Sequence, residues 1–150
     1  MKQINLFLVI IIALLALVPI ALPNRFDEEF SFEFDAPLGL VYDEFYNLRQ
    51  FSKWEEFTKL DSLTVKEFSN AREDEKSFFT WDSDEASLGS GKITVDNFSI
   101  NRFVNYTIQY DGWEKLDSLK VKFEQNESGK TIAKLNYLSQ EVPYFYRYFA

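Results

Sequence analysis

The sequence contains neither cysteine nor histidine. Without histidine there is no Ser–His or Cys–His nucleophile pair and no imidazole base. Without cysteine there is no disulfide frame, thiol redox centre, iron–sulfur cluster or lipobox, and an ordinary Cys/His zinc site is excluded as well. Positive charge is scarce. Sixteen Lys and Arg stand against 24 Asp and Glu, a formal net charge of −8, which argues against a phosphate-binding surface and hence against nucleic acid as a partner. Aromatic residues, by contrast, abound: 16 Phe, 8 Tyr and 3 Trp in 150 residues. So much ring surface is incompatible with a disordered chain, and the length fits one domain of ordinary size.

The N-terminus carries the longest apolar run. No polar side chain occurs from Leu6 to Leu22, and Ile4 extends the run across Asn5. At ~1.5 Å per residue, Ile4 to Leu22 spans roughly 28 Å, about the hydrocarbon thickness of a bilayer. A cleaved secretory signal is the rival reading, with Lys2 as its charged region. The run exceeds a usual apolar signal core, however, and Val18-Pro19-Ile20-Ala21-Leu22-Pro23 offers no clear small-x-small cleavage site. The expectation is therefore a single transmembrane anchor in residues 1–24, ended or kinked by Pro19 and Pro23. Lys2 and the amino terminus outweigh Arg25, which places the N-terminus in the cytoplasm and the domain outside it.

Residues 25–150 read as one α+β domain. Phe30, Phe32 and Phe34 alternate with Ser31, Glu33 and Asp35, the pattern of a half-buried strand. Ala36-Pro37 then opens a helix whose apolar face is Leu38, Val41, Tyr42, Phe45 and Leu48. A second short helix carries Phe51, Trp54 and Phe57. After Asp61 the period falls to two: Leu63 and Val65, then Phe79 and Trp81, then Ile93 and Val95. Phe98 and Ile100 sit on the opposite parity, so a bulge is expected near Asp96-Asn97. Val104, Tyr106, Ile108 and Tyr110 alternate cleanly, followed by Leu119, Val121 and Phe123, and by Ala133, Leu135 and Tyr137. Turn signals separate the runs at Gly89/Gly91, Asn101, Asp111-Gly112 and Asn126 to Gly129. One strand, two helices and six hairpin-linked strands are best satisfied by an antiparallel sheet with helices on one face. Phe79, Trp81, Tyr106, Tyr110, Phe123 and Tyr137 would face the helices, and Thr80, Thr107, Lys120 and Lys122 the other way.

Chemical motifs mostly reduce to ordinary structure. Gly89-Ser90-Gly91-Lys92 resembles a phosphate loop, but position 86 is Ala, Ile93 follows the lysine, and a strand rather than a helix comes next. A hairpin turn is the better reading. Asp82, Asp84 and Glu85 lack the further ligands and glycine of a calcium loop, so no metal is expected. Asp27-Glu28-Glu29 and Glu73-Asp74-Glu75 read as solvated charge runs. Asn97, Asn105 and Asn126 begin glycosylation sequons, a match that chance supplies easily. The aromatic excess is more informative. A sheet with helices on one side has limited volume for so many rings, and Tyr106, Tyr110 and Tyr137 need partners for their hydroxyls if buried. A solid core and a partly hollow, amphipathic cavity both satisfy this pattern.

In order and local signature, the sequence resembles the START-like, or SRPBCC, helix-grip superfamily, and within it the membrane-anchored branch often labelled polyketide cyclase/dehydrase-like. The resemblance runs from the apolar N-terminal segment and the Phe-rich first strand through Ala36-Pro37-Leu38-Gly39-Leu40-Val41-Tyr42. It continues in Leu48-Arg49-Gln50-Phe51-Ser52-Lys53-Trp54-Glu55-Glu56-Phe57, then in Trp81 with Gly89-Ser90-Gly91, and in Gly112-Trp113. It implies a curved antiparallel sheet of about seven strands gripping a long C-terminal helix, with an apolar cavity between them. Ligand contacts would then come from Trp54, Phe79, Trp81, Tyr106, Tyr110, Phe123 and Tyr137. The final helix departs from the family pattern: Pro143 to Phe149 looks only like its entrance, and eight residues from Pro143 make roughly 12 Å of helix.

Three function classes follow from these features. The first is a membrane-anchored, non-catalytic domain that binds a hydrophobic small molecule or lipid without a cofactor. The second is a polyketide cyclase- or dehydratase-like enzyme, which would have to use Tyr, Asp or Glu in place of His. The third is an interaction module or truncated remnant whose open groove is covered by a protein partner or a second copy.

Overall fold

The computed structural model describes residues 16–54, 61–69, 77–85, 87–142 and 147, with Trp54 placed by its backbone alone. Residues 16–21 are helical and the helix ends before Pro23. Most of the expected anchor, along with Phe57, Glu73-Asp74-Glu75 and, except for Arg147, the C-terminal segment from Pro143 to Phe149, lies outside the described residues. Among the described residues, no helix is long and apolar enough to cross a membrane.

The domain runs β1 (Asp27–Phe34), α1 (Leu38–Tyr46), α2 (Leu48–Trp54), β2 (Val65–Phe68), β3 (Phe78–Asp82), β4 (Gly91–Ser99), β5 (Phe103–Tyr110), β6 (Asp117–Gln125) and β7 (Thr131–Leu138). These seven described strands form one sheet in the order β1-β7-β6-β5-β4-β3-β2, with every neighbouring pair antiparallel. The first strand thus returns beside the last. The two helices, inserted between β1 and β2, pack across the face between them.

Local chemistry explains the helices. Pro37 stands just before α1, and its carbonyl accepts from the amides of Leu40 and Val41 at 3.0 and 3.2 Å. Val41, Tyr42 and Phe45 are buried, as is Leu48 at the start of α2, so the predicted apolar face is the packed one. Asn47 divides what would otherwise be one helix. Its backbone is extended (φ −77°, ψ 102°), its N–H closes α1 on Asp43, and its side-chain oxygen accepts from Arg49 N at 3.0 Å to cap α2.

Register fixes which side chains face the helices. Phe79 opposes Ile93, which opposes Ile108; Val104 opposes Val121, which opposes Leu135; and Phe123 opposes Ala133, which opposes Phe32. Thr80, Thr107, Lys120 and Lys122 lie on the opposite parity. The pairing shifts between Val95 and Asn97, the expected bulge, which brings Phe98 back to the helix side, where its ring meets Tyr46 at 4.7 Å.

The second strand departs from the sequence pattern. Leu63 and Val65 are 84% and 59% exposed. Instead Lys66 and Phe68 oppose Trp81 and Phe79. Lys66 reaches the Ser52 carbonyl with its ammonium at 2.9 Å, and the Arg49 guanidinium covers the Phe68 ring at 4.7 Å. The strand is a four-residue sheet edge whose parity is imposed by β3, so two apolar residues beside a turn do not decide it.

Candidate functional site

Two regions of different character make up the helix-facing side. Beneath α1 and α2, Phe79, Trp81, Tyr106 and Phe123 are buried, with Val95, Val104 and Val121 among them. Phe123 meets Phe45 and Tyr42 edge-on at 5.3 and 5.6 Å, and Phe51 lies 5.2 Å from Tyr106 and 6.5 Å from Phe79. This part is a packed aromatic core. Tyr106 donates its hydroxyl to the Phe45 carbonyl at 2.6 Å. That carbonyl lies at the end of α1, where the helix no longer supplies amides to its last acceptors. Burial, and then the neighbouring Tyr42, push the Tyr106 phenol well above its ordinary pKa. Tyr42 is buried too, yet its hydroxyl has no hydrogen-bond partner among the described residues. Burial first, then Tyr46 and Asp43, push it up to about 12.

Glycine lets Trp81 occupy this core. Gly91 lies directly opposite Trp81, and a Cβ there would come within 2.4 Å of the indole and of the Gln109 carbonyl. Gly89 has a different role, as its φ of +58° makes the turn. The Gly-Ser-Gly signature is thus a hairpin shaped to admit an indole, with no phosphate geometry.

Toward β1 and β7 the cover thins. Phe34 still meets Phe45 at 6.3 Å, and the Thr131 hydroxyl ties β7 to Ala36 O at 2.7 Å. Farther along the same face, Phe30 and Phe32 are each 49% exposed, and Leu119, Leu135 and Tyr137 are only partly buried. Cross-strand pairing sets Phe30 beside Leu135 and Leu119 beside Tyr137. The result is a half-open apolar strip.

A polar corner closes the strip at one end. Asp117, the first residue of β6, is 3% exposed. One of its carboxylate oxygens accepts the Tyr137 hydroxyl, and the other accepts Gln140 N at 2.8 Å. Tyr110 stands beside this corner with its ring edge-on to Trp81 at 5.6 Å. Burial and then the Asp117 charge push the Tyr110 phenol up, while the Tyr137 contact opposes them. Burial and the hydrogen bond to Asp117 push Tyr137 up further. Behind the corner, a cavity of about 480 Å³ opens between Gly112-Trp113 and Gln140 to Val142. At its rim Glu141 bridges Lys115 and Arg25 at 2.6 and 3.0 Å.

Of the residues singled out from sequence, the structure gathers Phe79, Trp81, Tyr106 and Phe123 in the core and Tyr110 and Tyr137 at the corner. Trp54 ends α2, and its side chain lies outside the described residues. Sequence reasoning missed Asp117. Its signal was its parity with Leu119, Val121 and Phe123, which points it inward from the first position of β6. Among the described residues, no group of His, Cys, Asp and Glu could hold a metal ion.

No family model matches the chain, and no curated protein matches it in sequence. Solved structures do match. CV1439 from Chromobacterium violaceum gives a TM-score of 0.55 at 15% identity, over 85% of this chain and 89% of that protein. Ara h 8.0201 gives 0.55 at 14% identity, over 79% of each chain. CalU16 from Micromonospora echinospora gives 0.50 at 10% identity over 75% of this chain, which spans only 60% of that protein's length. Identities this low speak to architecture alone, and the architecture they share with this chain is the helix-grip, START-like fold.

Proposed function

We propose that the chain is a membrane-anchored, non-catalytic binder of an apolar small molecule or lipid, held along the strip formed by Phe30, Phe32, Leu119 and Leu135. The observation that carries this reading is the 49% exposure of both Phe30 and Phe32 on a sheet face that is sealed beneath the two helices. A large ring buries roughly 150–250 Å² when fully covered. Covering the exposed half of both rings would therefore remove roughly 200 Å² from water, a gain of about 5 kcal/mol before the costs of immobilisation. The rings of Phe79, Trp81, Tyr106 and Phe123, packed beneath the helices, would support the site from the adjoining core. Tyr110 and Tyr137 would line its polar end, and Trp54 would complete the set from the last position of α2.

The cyclase or dehydratase reading is weaker. Asp117 is the best-placed acid, but both of its oxygens are engaged, one by Tyr137 and one by a backbone amide. Such a carboxylate holds its neighbours in place and, at 3% exposure, is withdrawn from the open part of the strip. The anchor is proposed at residues 4–22, with the domain at 25–150 on the extracytoplasmic side. Its support is the apolar surface just ahead of the domain, where Leu17 and Ile20 are 57% and 66% exposed.

Photolabelling tests the binding reading. The full chain, reconstituted in lipid nanodiscs, is irradiated with an alkyl diazirine and mapped by peptide mass spectrometry. Saturable labelling is expected in β1 and in β6–β7, reduced in Leu135→Glu. Labelling confined to the N-terminal apolar segment would count against a binding site in the domain.

A further inference from the structure

The half-open strip ends in charge of one sign. Register continues without a break along β1 and β7, so Glu28 shares the helix-facing parity of Phe30 and Phe32 and lies directly opposite Tyr137. Its side chain is exposed, and its carboxylate makes no hydrogen bond or ion pair among the described residues. Tyr137 in turn donates its hydroxyl to Asp117, a second carboxylate, whose other oxygen accepts from Gln140 N. Both of these donors are neutral, so the Asp117 charge is held but not cancelled, and at 3% exposure it is only weakly screened by salt. Two carboxylates thus flank Tyr137 at this end of the strip. Cations stand elsewhere. Lys120, Lys122 and Lys134 lie on the opposite parity. Arg25 and Lys115, at the rim of the neighbouring cavity, share Glu141. On the helix side, Lys66 is engaged by the Ser52 carbonyl and Arg49 covers Phe68, both toward β2 at the far edge of the sheet.

We propose that the strip takes cationic amphiphiles, molecules with an apolar chain and an amine head, the chain lying over Phe30 and Phe32 and the ammonium at Glu28. The proposal rests on the binding reading above and names its ligand class. Strand rise places Phe30 about 7 Å and Phe32 about 14 Å from Glu28 along β1, so an ammonium held at the carboxylate leaves its alkyl chain on both exposed rings. A fatty acid laid the same way would set carboxylate against carboxylate, with Asp117 adding to the repulsion. An exposed ion pair changes affinity by up to about fivefold, and reversing the ligand's charge turns attraction into repulsion, so discrimination between amine and acid is on the order of tenfold. The net charge of −8 acts in the same direction over a longer range.

Glu28→Gln and Glu29→Gln separate the site from the net charge. Each removes one negative charge, and the two residues are neighbours on one edge strand, both exposed. The amide is nearly the size of the carboxylate, so neither change disturbs packing. Glu29, however, faces the other side of the sheet, opposite Asn136. General attraction to an acidic protein would be lowered equally and slightly by both substitutions. An ammonium seated at Glu28 responds to the first and is indifferent to the second.

The experiment is competition at equal concentration between dodecylamine and dodecanoic acid on the full chain, in a non-ionic detergent at neutral pH. It is read by native mass spectrometry, where the two adducts differ in mass. Comparing variants in one detergent cancels the unequal partitioning and ionisation of the two probes. The expected result is a wild-type preference for the amine on the order of tenfold, falling to about twofold in Glu28→Gln and unchanged in Glu29→Gln. Equal adducts or an excess of the acid on the wild type would overturn the proposal while leaving apolar binding intact. So would an amine preference that survives Glu28→Gln, or one that falls equally in both variants. Absence of both adducts would instead defeat the binding reading and this proposal with it.

Discussion

Replacing Gly91 by alanine adds one methyl group at the most crowded point of the core. The new Cβ would stand 2.4 Å from two indole carbons of Trp81 and 2.4 Å from the Gln109 carbonyl oxygen. Carbon atoms in contact sit about 3.5–4.0 Å apart, so one partner must retreat by more than an ångström. Neither can do so freely. Trp81 is fully buried between Phe79 and Tyr110, and Gln109 O belongs to the paired strand β5. Overpacking typically costs about 1–3 kcal/mol, and two obstacles, one of them backbone, place this case near the top. Alanine returns about 0.5–1 kcal/mol through reduced chain entropy in the unfolded state. A net loss of about 2 kcal/mol remains, which lowers the melting temperature by roughly 6–8 °C in a domain of this size. Thermal unfolding followed by circular dichroism measures it directly. The double variant with Trp81→Phe separates the obstacles: removing the outer indole ring relieves one contact and leaves the carbonyl, so rescue should be partial, with a coupling of about 1 kcal/mol. A Gly91→Ala variant that melts within about 1 °C of wild type, or strict additivity in the double variant, would refute the reasoning.

Three other consequences are open to measurement. Tyr106→Phe removes the buried hydrogen bond to the Phe45 carbonyl and should cost about 1–2 kcal/mol, whereas Tyr42→Phe removes a buried hydroxyl that makes no hydrogen bond among the described residues and should be neutral or slightly stabilising in urea unfolding. Tyr42, Tyr106, Tyr110 and Tyr137 all have phenols pushed above the ordinary value of 10.0. The unfolded chain therefore releases protons first as pH rises past 10, and stability should be unaffected below that pH and fall above it. Absorbance at 295 nm should show these phenolates forming together with unfolding, and ordinary titration of all tyrosines in the folded protein would contradict this. Carbonate extraction should leave the full chain in the membrane pellet if residues 4–22 anchor it, and a shortened soluble product beginning near Leu22 would remove the anchor from the account.

Much of this architecture was legible because one face of a sheet leaves a period of two in the sequence. The run Val104, Tyr106, Ile108 and Tyr110 reads directly as the buried side of β5, and the parity break after Val95 located the bulge. The face of α1 was equally clear, since Val41, Tyr42 and Phe45 recur at helical steps. Failures came where long-range pairing overrides local pattern. The inward residues of β2 are Lys66 and Phe68 because β3 sets the register, and lysine on the buried side becomes tolerable only through the distant Ser52 carbonyl. The break at Asn47 depends on a side-chain cap that propensity alone does not locate. Asp117 escaped notice for a related reason. Its two partners, Tyr137 and Gln140, are some twenty residues away, and only the pairing of β6 with β7 brings them to it. Which rings line a site and which fill the core was likewise invisible, because Phe32 and Phe79 look alike in sequence and differ only in whether a helix lies above them.

The most direct test of the central claim is native mass spectrometry of the full chain, extracted in mild detergent from cells that produce it, with no ligand added. The account predicts a wild-type mass increased by one small apolar molecule, and the bare chain mass for Phe32→Glu or Leu135→Glu variants that still unfold cooperatively. Bare wild-type protein, or a mass equal to two copies of the chain with nothing else bound, would contradict it.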